Sequence, residues 1–333
     1  MTLLPGRLVL LGAALAALTL LLPGTVTAAG APEFDLQAHR GGRGETTEES
    51  LRAFVASLEL GVSTLELDVV ITKDDQPLVW HDAVIGADKC VDTGPVVTGD
   101  PQYPYVGKLV HELSLAQLRT LDCGRRLAEF PAATVVRGNK IATLPEVFAL
   151  AEAYRAPNET GVRYDIETKV EADKPAASAG SQQFVDVILA AVRSAGKIDC
   201  VEIESFDWRT LPMVHRAEPD IPLVGLYDAS TWVPGSPWLA GIDPAVVGDP
   251  VVGALLAGAN IVAPEYRLVT GRGYVDHAHM LGLKVIPWTV NDAEAMREQI
   301  GDGVDGIITD YPTKLRGVLA ELGMPLPPAY RRG

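Results

Sequence analysis

The sequence predicts a (β/α)8 barrel of the α/β class, with a loop-rich insertion after the second strand. Eight β-type runs recur, at 34–39, 62–70, 162–167, 201–205, 222–227, 260–264, 284–290 and 306–309. Amphipathic or Ala-rich segments near 47–60, 143–154, 181–195, 207–216, 249–258, 270–281 and 291–301 lie between them, and one near 313–322 closes the chain. Strand–helix alternation argues for a parallel sheet, and eight units argue for closure into a barrel. The rival is an open doubly wound sheet. That fold usually carries a Gly-x-Gly-x-x-Gly turn after its first strand, and no such turn is present.

The order of elements begins after a leader. In residues 1–28 the single charge, Arg7, precedes a 15-residue apolar run from Leu8 to Leu22, then Pro23-Gly24 and small residues. Basic start, apolar middle and small-residue end are the order of a secretory signal, with cleavage near Ala28. The run is short for a membrane span of about 20 residues. The reading is therefore an exported protein whose domain covers 29–324, with a flexible tail at 325–333. A chain of 333 residues with 47% hydrophobic content has material for a real core, and three cysteines exclude a disulfide-stapled scaffold. A net charge of −15 argues against general nucleic-acid binding and against docking on anionic membranes.

Regularity breaks once, from 86 to 139, where a Gly- and Pro-rich stretch holds only a short helix near 114–120. Cys90 and Cys123 flank much of it. Bridged, they close a loop of 33 steps, which the chain-entropy model values at roughly 3–4 kcal/mol. Three free thiols are the alternative. Cys200 opens a strand and reads as a small buried hydrophobe.

Barrel strands bury their residues, so charges at strand ends are informative. Glu66 and Asp68 share one face of the second strand, and Leu67 and Val69 the other. Two adjacent carboxylates need a shared proton or a divalent cation. Glu167 and Lys169 share a face at the end of the third strand. His39 and Arg40 end the first, ahead of Gly41-Gly42, which allow close backbone approach. Arg presents a fork suited to phosphate oxygens. His81 ends a short run after a turn at 73–76. Two histidines, three carboxylates and two cations suit phosphodiester cleavage. No Gly-x-Ser-x-Gly elbow supports a serine hydrolase. A carboxylate-pair glycosidase leaves His39-Arg40 and Lys169 unexplained.

These residues resemble the glycerophosphodiester phosphodiesterase family. The likeness is carried by His39-Arg40-Gly41, the stretch Thr47-Glu48-Glu49-Ser50 before Ala53-Phe54, Gly61, Glu66-Leu67-Asp68, Thr72-Lys73-Asp74 and His81-Asp82. It continues in Glu167-Thr168-Lys169, Ser205-Phe206, Trp288-Thr289-Val290-Asn291 and Gly303 to Pro312. It spans nearly the whole chain after the leader.

The resemblance implies hydrolysis of glycerophosphodiesters to sn-glycerol 3-phosphate and an alcohol. It implies one Ca²⁺ or Mg²⁺ held by Glu66, Asp68 and Glu167. His39 and His81 become the acid/base pair, Arg40 and Lys169 the phosphate contacts, and the insertion a small cap over the barrel mouth. Trp288 becomes a pocket wall, with a core aromatic as the plain alternative. The family's Pro-Glu-Asn-Thr reads Thr47-Glu48-Glu49-Ser50 here, and the extra Glu49 reads as a charge at a helix start. Three rivals stand beside this reading: a barrel of the phospholipase D or sphingomyelinase D type acting on intact phospholipid, a non-catalytic secreted phosphodiester-binding protein, and a structural cell-surface protein. His111, His215, His277 and His279 receive no role, and the sequon Asn158-Glu159-Thr160 matters only in a glycosylating host.

Overall fold

The structure, a computed structural model, describes Thr2, residues 34–157 and residues 161–333. The leader reading falls almost wholly outside the described residues, and the sequon falls outside entirely. The chain divides into Met1–Pro32 and a compact unit Glu33–Gly333, and the barrel occupies the second.

Eight parallel strands form a nearly closed barrel: β1 (Asp35–Ala38), β2 (Thr64–Ile71), β3 (Arg163–Thr168), β4 (Val201–Ser205), β5 (Leu223–Tyr227), β6 (Ile261–Pro264), β7 (Lys284–Val285) and β8 (Gly306–Thr309). They lie in chain order, and β8 pairs back onto β1. The run expected at 284–290 forms a ladder only over Lys284–Val285, because Pro287 has no N–H to donate. Single backbone bonds close that seam: Asp305 N–H to Val285 O (2.9 Å), Ile308 N–H to Pro287 O (3.0 Å) and Val290 N–H to Ile308 O (3.0 Å).

Alternation along each strand sorts side chains between two interiors. Leu65, Leu67 and Val69 of β2 join the large core between sheet and helices. That core also takes Phe54 and Leu58 from the first helix, Leu51–Leu60. Ser50 caps this helix by accepting the Ala53 N–H at 3.1 Å, a contact worth about 1 kcal/mol. Inside the barrel, β5 to β8 contribute an apolar half of Val224, Leu226, Ile261, Ala263, Ile286 and Ile308. The other half is acidic. Register aligns Glu66 with Asp165 and Asp165 with Glu202. One layer up, it aligns Asp68 with Glu167 and Glu167 with Glu204.

The insertion folds over its own small core of Ile85, Tyr105, Val110, Leu113, Leu118 and Leu121, with Trp80 beneath, and Cys90 and Cys123 are bonded inside it. A short antiparallel strand, Pro77–Val79, pairs with the end of β2 and leads into it. Two expectations are corrected. The tail is anchored, because Tyr330 is buried, its N–H reaches Leu58 O, and Arg331–Arg332 pair with Tyr154–Arg155. Cys200 is half-buried rather than fully enclosed, and its thiol is free.

Candidate active site

The turn at the C-terminal end of β1 builds the first wall. Arg40, Gly41 and Gly42 take successive left-handed backbone conformations, φ 51°, 74° and 86°. A Cβ at Gly41 would sit 3.0 Å from that of Ala53, so both conformation and space require glycine. Arg40 holds its conformation with a full side chain, at a cost of order 1–3 kcal/mol. The turn aims the Arg40 N–H at Glu66 Oε2, 2.6 Å away, and its Nε at Asp68 Oδ2, 2.9 Å away.

Each predicted histidine is tethered through Nδ1. His39 Nδ1 lies 2.5 Å from Asp310 Oδ1, just beyond β8. Asp310 Oδ2 accepts from Asn291 Nδ2 at 2.6 Å, and Asn291 Oδ1 accepts the Asp310 N–H at 3.0 Å. His81 Nδ1 lies 2.6 Å from Asp82 Oδ1. Both tethers favour the tautomer with hydrogen on Nδ1, leaving each Nε2 for a ligand. Burial lowers His39, against Asp310, with Arg40 adding to the drop. Burial and then Lys169 push His81 down to about 4. Both imidazoles are therefore neutral at pH 7.

The acidic half of the barrel carries the opposite perturbation. Burial, then Asp68 and Glu204, hold Glu66 well above the usual carboxylate range. Burial raises Glu167 to about 8, with Lys169 opposing and Asp68 adding to it. Burial and then Asp165 raise Glu204. Asp68 goes the other way: burial opposes its charge, but Arg40 and Lys169 hold it well below its ordinary value. Lys169 Nζ is 2.8 Å from Glu167 Oε1 and 3.6 Å from Asp68 Oδ1. This half holds more carboxylates than Arg40 and Lys169 can balance, which is why Glu66, Glu167 and Glu204 are all shifted upward.

These groups line one pocket at the C-terminal mouth of the barrel, ≈ 570 Å³ with its opening. His39, Arg40, Glu66, His81, Glu167, Lys169 and Trp288 all border it, and Asp68 sits beside Arg40 at its base. Trp288 packs edge-on to Phe206 at 5.3 Å and donates to Ala263 O at 2.9 Å, so it forms an apolar wall. Asp68 is held by its ion pairs with Arg40 and Lys169, and Asp165 and Glu204 lie buried against each other. Hard oxygen donors with surplus negative charge fit Ca²⁺ or Mg²⁺. The three-carboxylate grip is not preformed, however. Among the described residues no three His, Cys, Asp or Glu side chains are gathered as an ion requires, and Lys169 reaches both Glu167 and Asp68.

Comparison with known proteins decides what this pocket belongs to. The model of the glycerophosphoryl diester phosphodiesterase family matches residues 39–314. The chain belongs to that family. A glycerophosphodiester phosphodiesterase of Caldanaerobacter subterraneus subsp. tengcongensis is 27% identical over 289 residues, 86% of this chain and 98% of its own. A crystal structure of a candidate glycerophosphoryl diester phosphodiesterase from Silicibacter pomeroyi DSS-3 superposes with TM-score 0.74 at 29% identity, covering 88% of this chain and 95% of that one. A phosphodiesterase of Oleispira antarctica, solved with the product sn-glycerol-3-phosphate, shares the fold at TM-score 0.63 and 18% identity, over 86% and 96% of the two chains. The chain is thus a barrel hydrolase of that family.

Several participants escaped the sequence reading. Asp310 and Asn291 stand in the late motif with nothing in it to tie them to His39, and the signal that could have found Glu204 is its alternation with Glu202 on a strand. Glu49 is not a helix-start charge. It has φ 53°, is buried, and accepts the Asp68 N–H at 3.1 Å. Lys89 carries no local signal, because it sits in an irregular segment and one of its two partners, Glu48, is 41 positions away.

Proposed function

We propose that this family member hydrolyses glycerophosphodiesters to sn-glycerol 3-phosphate and an alcohol with the aid of one divalent cation. The observation that carries the reading is the pair of Nδ1-tethered imidazoles on one pocket with Arg40 and Lys169. Arg40 and Lys169 receive the non-bridging phosphate oxygens and stabilise charge that grows in the transition state. One neutral imidazole takes the nucleophile's proton at Nε2. The other delivers a proton to the leaving alcohol, its imidazolium favoured by the bound phosphate and by its own carboxylate. Glu66, Asp68 and Glu167 would hold Ca²⁺ or Mg²⁺, which supplies Lewis acidity to the phosphoryl oxygens. Trp288 and Phe206 shield the pocket's apolar side. The leader's charge order supports export, and the Cys90–Cys123 bond is consistent with an oxidising compartment.

The test is turnover of glycerophosphocholine, followed by release of glycerol 3-phosphate, before and after exhaustive chelation. Loss on chelation and recovery with one of the two ions is expected. Full activity after chelation would remove the cation from the scheme, and no glycerol 3-phosphate from any glycerophosphodiester would remove the substrate.

A further inference from the structure

The insertion places a buried cation, Lys89, behind the wall of the site. Lys89 sits beside the bonded Cys90 and is 9% exposed at its side chain. Its Nζ is 2.6 Å from Asp82 Oδ2 and 2.6 Å from Glu48 Oε1, and lies 5.2 Å from the centre of the Trp80 ring. Asp82 turns its other oxygen to His81 Nδ1. Glu48 turns to Arg43 Nε at 2.8 Å and to Arg40 Nη1 at 3.5 Å.

Lys89 therefore stands where two chains of contacts meet, one ending at an imidazole and the other at an arginine of the pocket. His81 and Asp82 are each about a third exposed, at 30% and 34%. Neighbouring side chains that exposed hold one geometry only weakly. A buried ammonium bonded to the far carboxylate oxygen removes that freedom and turns Oδ1 toward the ring. The Lys89 backbone is fixed in turn, its N–H donating to Gly86 O at 3.2 Å and its O accepting from Arg125 N–H at 3.3 Å.

We propose that Lys89 is a positioning residue for the hydrolysis: it anchors Asp82, which fixes His81 as the Nδ1–H tautomer with Nε2 facing the substrate. The insertion is then a working part of the site as well as a cover. The kinetic half of this proposal rests on the function proposed above, whereas the tautomer half does not.

The experiment compares wild type, Lys89→Met, Lys89→Arg and Lys89→Gln, each also in an Asp82→Asn background. The readouts are the ¹⁵N shifts of the His81 ring and the kcat and KM for glycerophosphocholine. Wild type should show a single Nδ1–H tautomer. Lys89→Met should show averaged tautomers and a kcat about 10–100-fold lower with KM changed by less than about threefold, and Lys89→Arg should recover most of the loss. In the Asp82→Asn background the Lys89→Met effect should shrink below about twofold. An unchanged tautomer in Lys89→Met, or the same loss in both backgrounds, overturns the proposal. If Lys89→Met does not fold, Lys89→Gln carries the same comparison. A tautomer change in a protein with no turnover leaves Lys89 in place and removes the substrate assignment instead.

Discussion

Replacing Asp310 by Asn probes the His39 tether with almost no change of shape. Asn291 is held in one orientation, because its Oδ1 accepts the Asp310 N–H at 3.0 Å and Nδ2 therefore faces the Asp310 carboxylate at 2.6 Å. In Asp310→Asn the new amide must turn its oxygen to Asn291 Nδ2, since the opposite rotamer sets two NH2 groups face to face. Its own NH2 then meets His39 Nδ1 at the position now 2.5 Å from a carboxylate oxygen. Neutral His39 is driven to the Nε2–H tautomer, which has no lone pair for the substrate. The imidazolium is opposed as well, because its Nδ1–H would point at an amide N–H. Proton transfer by a positioned imidazole is worth ~10²–10⁴ in rate, so kcat for glycerophosphocholine should fall by about 10²–10⁴, or ~3–5 kcal/mol of barrel-bound transition-state stabilisation. KM should stay within about threefold, because Arg40 and Lys169 are untouched. The charge-assisted bond lost from the folded state is worth ~1.5–3 kcal/mol, so a lower Tm with a cooperative transition is expected. A folded variant whose kcat drops less than tenfold, or whose loss appears in KM, would refute the assignment of His39 to proton transfer.

Three other outcomes follow from the geometry. Ca²⁺ or Mg²⁺ should raise the wild-type Tm by several degrees at 100-fold excess over Kd, where linkage supplies ~2.7 kcal/mol, and Glu167→Gln should lose most of that shift. Calorimetric scans showing no response to either ion would discard the proposed cation site. Removing the Cys90–Cys123 bond with Cys90→Ala and Cys123→Ala should cost roughly 3–4 kcal/mol by the loop-closure model, read as a lower urea midpoint, and equal midpoints would show that the insertion's own core holds it. Burial and Lys169 push His81 from its unfolded value of 6.5 down to about 4. The unfolded chain therefore binds the proton first, and this group's destabilising effect grows as pH falls from 6.5 to 4, reaching at most ~3 kcal/mol and less with solvent screening. Stability measured at pH 7.5 and 4.5 should thus decline less in His81→Gln than in wild type, and an identical decline in the two would contradict the His81 shift.

What the sequence determined by itself was the order of strands and the chemistry at their ends. Period-2 alternation makes Glu66 and Asp68 neighbours on one face whatever the fold, and Glu167 and Lys169 likewise. Strand–helix alternation then brings all the strand ends to one mouth, so seven of the eight expected site residues border one pocket. The tertiary structure decided the contacts that link distant segments. Asp310 is 271 positions from His39 and Lys89 is 41 from Glu48, and no local pattern announces such pairs. It also anchored the tail, through a buried Tyr330 whose partners lie on other elements, and placed Glu49 under Asp68 instead of at a helix start. The physical reason is common to all of these. Alternation and propensity are set by bonds along the chain, whereas burial, charge balance and the direction of a hydrogen bond depend on which surfaces the closed barrel presses together.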